Sequence, residues 1–366
     1  MTSYTLFGAK ISLFTGKIRA YLIYKGIDFE EVTASLQVYK NTLVPNTDVR
    51  FIPVVKTPED KYLQDSAVII DELEASHAQR PVIPVTPKQL LVSKLFEIYG
   101  DEWLLIPAMH YRWNKQQDAY VYAEFGKTIF PRLPGFLQRF LGKRAGSRFK
   151  GFVSMLGITE ATIPAIEQWY EGDFLPALDA HFARHDYLLG AAASIGDFGL
   201  MGPLFAHLYQ DPESGKIMRA IAPNVVQWIE RMNNPPLEVG SWLEADEIPA
   251  TLLSILTRMF REFFPVLQST VILLEQWKRE NPTAVIPRFI GKHGFAIDQA
   301  RGERVVIPFS QWKLQRVLDV YQSFANDEKA NIDAFLSAIG GLAALQTKIS
   351  ERLSRKDNVL IWSSSA

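Results

Sequence analysis

Three short segments within the first 80 residues carry groups that together suit a small anionic peptide bearing a thiol. Ser12 stands just ahead of a helix-like run, and Thr15 offers a second hydroxyl nearby. Phe51-Ile52-Pro53-Val54-Val55 sets a proline inside an apolar strand, and Gln64-Asp65-Ser66-Ala67 opens another helical run. A hydroxyl at a helix entrance, beside unpaired N–H groups and the positive end of the helix dipole, can hold a thiolate without reacting itself. Proline removes a ladder donor, and a cis Ile52–Pro53 bond would offer the N–H and C=O of Ile52 to a peptide ligand. Ser66, with a hydroxyl and an N–H at a positive helix end, suits a carboxylate, while Asp65 suits an ammonium group. An α-amino-carboxylate needs both. Each group also has a plainer reading: Ser12 as a helix-entry serine, and Asp65 and Ser66 as ordinary N-caps.

The elements that must position these groups follow from periodicity. Tyr4 to Gly8 reads as a strand, and Gly16 to Lys25 as a helix ended by Gly26. Ile27 to Val32 alternates as a second strand. Phe51 to Lys56 is a third, and Lys61 to Leu63 a fourth after the Thr57-Pro58-Glu59-Asp60 turn. Ala67, Ile70 and Leu73 then recur at helical spacing. A proline-rich linker from Arg80 to Pro87 leads into a helical pattern from about Lys88 to Lys115, with Thr86 as its cap and Pro87 in its first turn. Helical periodicity resumes from Thr159 through Ala183. Ser194 and Asp197 form a capping box at the start of a buried helix.

This order of pieces, from Leu6-Phe7-Gly8 through Ser12, Ile52-Pro53 and Asp65-Ser66 to Tyr187-Leu188-Leu189-Gly190 and Ser194-Ile195-Gly196-Asp197, resembles the glutathione transferase superfamily. The resemblance implies an α/β thioredoxin-like N-terminal domain over residues 1–80. It implies an all-helical C-terminal domain over residues 88–248, here carrying an insertion at 116–157. It further implies that Ser12 hydrogen-bonds the glutathione sulfur, that Ile52 pairs with the cysteinyl backbone beside cis Pro53, and that Asp65 and Ser66 bind the γ-glutamyl group. Lys40 and Arg50 would meet the glycyl carboxylate. Many relatives have proline where Leu13 stands, so Thr15 remains an alternative to Ser12 as the active hydroxyl. The helix ending near Lys115 would border an electrophile pocket lined by Tyr111 and Trp113, which read from burial preference alone are core residues.

Composition narrows the chemistry. The 366 residues are 48% apolar and 22% charged with a net charge of −1, a balance without a nucleic-acid or acidic-tail signal. The absence of cysteine removes disulfides, Cys-ligated zinc and any Cys nucleophile, so a glutathione enzyme here must use the thiol of its substrate. The histidines form no convincing ligand set, and His181 with His185 lacks the glutamate of the zinc protease signature. No secretory leader pattern or membrane-spanning run is read.

Two regions fall outside the resemblance. Residues 116–157 read as an irregular insertion with basic and aromatic residues interleaved, a pattern that invites a membrane-surface or nucleic-acid reading but is commoner in a lid or dimer-contact loop. Past about Ala250 an extension over 249–366 mixes helices with a β-hairpin: a helix over 251–280, strands His293 to Ile297 and Arg304 to Phe309 flanking Arg301-Gly302, and helices from Ser310 to Phe324 and Asp327 to Arg355. Ser363 to Ser365 reads as a frayed end.

The resulting expectation is a cytoplasmic, dimeric glutathione transferase of detoxification type. It would add glutathione, as co-substrate and without a metal, to a small apolar electrophile. The alternatives are a non-catalytic scaffold on the same fold whose pocket is filled by the C-terminal tail, and a glutathione-dependent isomerase or lyase.

Overall fold

The computed structural model describes residues 3–363, so Ser364 and Ser365 of the expected frayed end lie outside the described residues. The N-terminal unit runs β1 (Tyr4–Gly8), α1 (Leu13–Lys25), β2 (Phe29–Thr33), β3 (Val54–Lys56), β4 (Tyr62–Gln64) and α2 (Ser66–Ser76). The sheet order is β2-β1-β3-β4. β1 and β2 pair in parallel across the α1 crossover, and β3 and β4 add in antiparallel fashion. Leu6, Val55 and Leu63 bury one face against the main core, and Phe7 and Val54 bury the other with Ala34 and Leu43. The third strand begins at Val54, later than the apolar run suggests, because Pro53 has no donor for the ladder. Gly26, at φ 67°, ends α1 as its composition requires.

The helical unit starts with α3 (Pro87–Ile98), continues through a π-helical turn at Tyr99–Trp103 into α4 (Leu105–Asn114), and is interrupted by the insertion. Pro87 occupies the first turn of α3, but Thr86 makes no side-chain cap. The Asp246 carboxylate accepts from the N–H groups of Lys88 at 2.8 Å and Gln89 at 2.9 Å instead. The insertion is regular rather than irregular: α5 (Asp118–Ile129) and α6 (Gly135–Lys150) form a helical hairpin. α7 (Leu175–Phe182), α8 (Ile195–Pro203), α9 (Pro212–Ile221) and α10 (Pro223–Asn233) complete the unit, with α8 packed on both α1 and α3. Asp197 caps α8 as expected and does more: its carboxylate accepts from the backbone N–H of Leu188 and Ser194, the Ser194 hydroxyl and the Trp228 indole. Every lone pair of a fully buried carboxylate is thereby engaged.

The extension contains α11 (Phe264–Glu280), a hairpin of β5 (Lys292–Ile297) and β6 (Ala300–Val305), α12 (Pro308–Ser323), α13 (Asn326–Ala338) and a second hairpin of β7 (Leu353–Lys356) and β8 (Val359–Trp362). The first hairpin turns at Asp298 and Gln299 instead of Arg301-Gly302. The helix that opens at Asn326 ends at Ala338, and a short one at Leu342–Leu345 follows, both far short of Arg355. Asp357 and Asn358, both at positive φ, make the tight turn of the second hairpin, a conformation Asp and Asn tolerate where most residues do not.

A buried ionic network ties the three units together. Lys17 on α1 donates to Asp101 at 2.9 Å and Glu97 at 3.2 Å, and Lys313 on α12 donates to the same Asp101 at 2.8 Å. All four side chains are buried. Burial alone would lower the Lys313 pKa, but Asp101, Asp65 and Glu97 together outweigh it and raise the group above its ordinary range. Two ammonium groups therefore depend on one carboxylate. Asp101→Asn leaves both undercompensated, and a loss of about 3–5 kcal/mol in urea unfolding is expected. His181, buried between Thr251 Oγ1 at 2.7 Å and the Tyr187 carbonyl at 3.2 Å, has its pKa pushed down to about 4 by burial and by neighbouring His185. The unfolded chain titrates this group near 6.5, so stability falls as pH drops from about 6.5 towards 4. Thermal melts between pH 7 and 5 are expected to lose less stability in His181→Gln than in the wild type.

Candidate functional site

One row of the sheet collects the three segments. Phe7 of β1 pairs with Val54 of β3, and Val54 pairs with Gln64 of β4. The chain leaves this row towards Ser12 after β1, enters it from Pro53 before β3, and leaves it into Asp65 after β4. Ser12, the Ile52–Pro53 bond and Asp65-Ser66 therefore lie at the same end of the sheet. Ile52–Pro53 is cis. Ile52 is half-buried, and Pro53 is buried behind it.

The two hydroxyls near α1 face differently. Ser12 is the N-cap of α1, accepts from the Thr15 N–H at 3.3 Å, and remains partly exposed. Thr15 is fully buried. Its Oγ1 accepts from the Ala9 N–H at 3.3 Å, and its methyl lies so close under Gly8 that an added Cβ there would stand 2.2 Å away. Thr15 pins the loop to β1, which corrects its candidacy as an active hydroxyl. At the opposite wall, Asp65 adopts φ 82°, a left-handed conformation costly for a residue with a Cβ. Its Oδ1 accepts from the N–H groups of Ala67 at 2.9 Å and Val68 at 3.4 Å, so the first turn of α2 is capped. Ser66 is only 2% exposed. Lys40 and Arg50 are exposed on the segment before β3.

Tyr111 and Trp113 require a second correction. Both are buried core residues on α4, so neither lines an open pocket. The Tyr111 hydroxyl donates to Glu171, and burial together with that carboxylate raises its pKa far above the phenol range. Trp113 packs against Tyr122 and Phe125 of α5. α4 instead reaches the site through Arg112. This buried guanidinium donates to both carboxylate oxygens of Asp211 at 2.6 and 2.8 Å and to the Ile11 carbonyl at 2.7 Å. His207, in contact with Arg112, is held neutral by burial first and by the guanidinium second. Arg112 fixes the backbone immediately before Ser12. Sequence offered only a charge near a helix end, because its partner Asp211 lies about a hundred residues away.

The extension also reaches the site. Arg355, on β7, donates to Gln64 Oε1 at 2.6 Å and to the Gln64 carbonyl at 3.2 Å, and approaches Asp65 Oδ1 at 4.0 Å. Its guanidinium lies over the Trp312 ring at 5.5 Å. Asn358 at the hairpin tip donates to the Thr47 carbonyl at 3.0 Å. Ala67, in the first turn of α2, is buried with Leu274, Trp312 and Leu353 of the extension. On the other side Arg288 stacks between Phe51 at 5.4 Å and Phe152 at 4.8 Å, and burial lowers its pKa. The site is thus walled by elements that local sequence patterns do not place there.

Residues 6–81 match the description "Glutathione S-transferase, N-terminal domain" and residues 160–236 the description "Glutathione S-transferase, C-terminal domain". The whole insertion hairpin and the whole extension lie outside both. No curated protein matches the chain. Similar solved structures include a glutathione S-transferase from Rhodospirillum rubrum F11, at 13% identity over 68% of this chain and 96% of that one, with a TM-score of 0.41. The beta-etherase LigF from Sphingobium sp. strain SYK-6 is 17% identical over 64% of this chain and 96% of its own, with a TM-score of 0.44. A glutathione S-transferase from Methylobacterium radiotolerans, solved with glutathione sulfonate, is 19% identical over 64% and 92%, with a TM-score of 0.39. In chain order, then, residues 6–81 and 160–236 carry the two domains characteristic of the glutathione S-transferases, the thioredoxin-like one and the helical one.

Proposed function

We propose that the protein binds glutathione at the shared end of its sheet and adds the thiolate to a small apolar electrophile. The observation that carries this reading is the row Phe7–Val54–Gln64, which sets Ser12, the cis Ile52–Pro53 bond and Asp65-Ser66 at one edge. In this reading Ser12 donates its hydroxyl hydrogen to the sulfur and lowers the thiol pKa. Ile52 pairs with the cysteinyl backbone, and Ser66 takes the γ-glutamyl carboxylate at the positive end of α2, with Asp65 beside it for the ammonium. Lys40 and Arg50 serve the glycyl carboxylate. The sulfur lone pair forms the C–S bond while the electrophile releases its leaving group or takes up a proton. Rate is gained from proximity and from the thiolate fraction at neutral pH. The resemblance extends the proposal to a cytoplasmic homodimer.

A second reading, a binding protein whose site is closed by its own tail, is favoured by one observation: Arg355 and the β7–β8 hairpin lie across Gln64 and Asp65 while Ser66 is nearly inaccessible. Titration calorimetry separates the two. For a transferase, glutathione binds the wild type at micromolar to millimolar affinity, and Ser66→Ala weakens it about tenfold through loss of a charge-assisted hydrogen bond. Ser12→Ala is expected to keep that affinity and to lower the conjugation rate with an aryl halide by about a hundredfold, as for loss of one stabilising donor. Tighter glutathione binding in Arg355→Ala than in the wild type would favour the tail-closed reading.

A further inference from the structure

The insertion hairpin packs Tyr120, Tyr122 and Phe125 of α5 against the core but leaves the aromatic residues at the start of α6 outward. α5 and α6 approach at glycines. A Cβ on Gly126 would lie 2.1 Å from the Gln138 carbonyl oxygen, and one on Gly142 would lie 2.2 Å from that of Tyr122. With the backbones this close, Gly142 and Gly146 form the inner face of α6, and large side chains are left for the outer one. Phe136 and Phe140, one turn apart, are 65% and 70% exposed, and Leu133 stands exposed at the hairpin tip. Arg139, Lys143 and Arg144 share their face at helical spacing and are exposed.

The charge of the segment is one-sided. Residues 125–157 contain seven Lys and Arg and no Asp or Glu, in a chain whose overall charge is −1. Lys150 pairs with Asp118 at the base, and Lys127 with Glu124 along α5. Arg139, Lys143, Arg144 and Arg148 have no ion-pair partner among the described residues. Exposed phenylalanines ringed by cations on one helix face match an amphipathic helix that lies in the interface of a membrane. No described helix is long and apolar enough to cross one.

We propose that the α5–α6 hairpin docks the protein onto an anionic lipid surface. Phe136, Phe140 and Leu133 enter the headgroup boundary, and Arg139, Lys143 and Arg144 meet the lipid phosphates and carboxylates. A second copy of this chain is the poorer occupant, because a two-fold contact through this face would set its cations against the same cations. The inference stands independently of the glutathione site.

The test is co-sedimentation of the full-length protein with vesicles of phosphatidylcholine alone and of phosphatidylcholine with phosphatidylglycerol, over a range of salt. Binding to the anionic vesicles that falls with salt is expected, with little binding to the neutral ones. Arg139→Gln/Lys143→Gln/Arg144→Gln should reduce the partition coefficient by about a hundredfold, near the sum of three surface cations. Phe136→Ser/Phe140→Ser should reduce it by about tenfold or more at unchanged charge. All five positions are exposed, and an unchanged circular dichroism melt separates lost docking from lost folding. Equal binding to neutral vesicles, or no binding to either, would overturn the proposal. So would tighter binding to a single-stranded oligonucleotide than to vesicles, or a dimer in sedimentation that the phenylalanine variant dissolves.

Discussion

The buried carboxylate of Asp101, shared between Lys17 and Lys313, is the contact on which the arrangement of the whole chain depends. Lys17 belongs to the helix that begins at Ser12, Asp101 to the π-helical turn of the second unit, and Lys313 to the extension. Without that carboxylate Lys17 would keep only Glu97 and Lys313 would lose its direct ion pair, so one buried group couples all three elements. Burial pulls the Glu97 carboxyl upward, yet Lys94, Lys17, Lys313 and Arg316 together outweigh it and hold the group well below its usual range. Glu102, next along the turn, is pushed up to about 7 by burial, partly offset by the Ser310 hydroxyl. Glu97 and Glu102 thus shift in opposite directions, because cations together outweigh burial at the first and not at the second.

A second polar junction aligns the candidate site. Arg112 joins α4 to Asp211 and to the Ile11 carbonyl, so the backbone entering Ser12 is held from the helical unit rather than by its own strand. The loop is also held from below by Thr15. The loop around Ser12 is thus fixed from both sides.

The two regions outside the family domains behave differently. The extension is integrated: its residues Trp312, Leu353 and Leu274 bury Ala67, its Arg316 pairs with Asp71 at 2.7 Å, and Arg355 reaches the site. The insertion hairpin is held mainly at its base, and carries exposed aromatic and basic residues outward. One region adds core and covers a site. The other adds surface.

What the sequence determined by itself was what is encoded within a few residues: Ser12 at a helix entrance, Pro53 breaking the start of a strand, Asp65-Ser66 opening α2, the Ser194–Asp197 cap, and the order of elements that made the superfamily legible. These depend on i to i+4 geometry and on backbone chemistry, which short windows contain in full. Only the tertiary structure decided that Thr15 points inward and Ser12 does not, that Tyr111 and Trp113 are core, that Asp246 displaces Thr86 as the cap of α3, and that residues 353–362 fold as a hairpin over the site instead of continuing a helix. Thr15 is held by Ala9 just before it, but most of those outcomes are set by partners far along the chain. The free energy that selects these outcomes, burial of a side chain or pairing of a buried charge, does not exist until those partners have arrived.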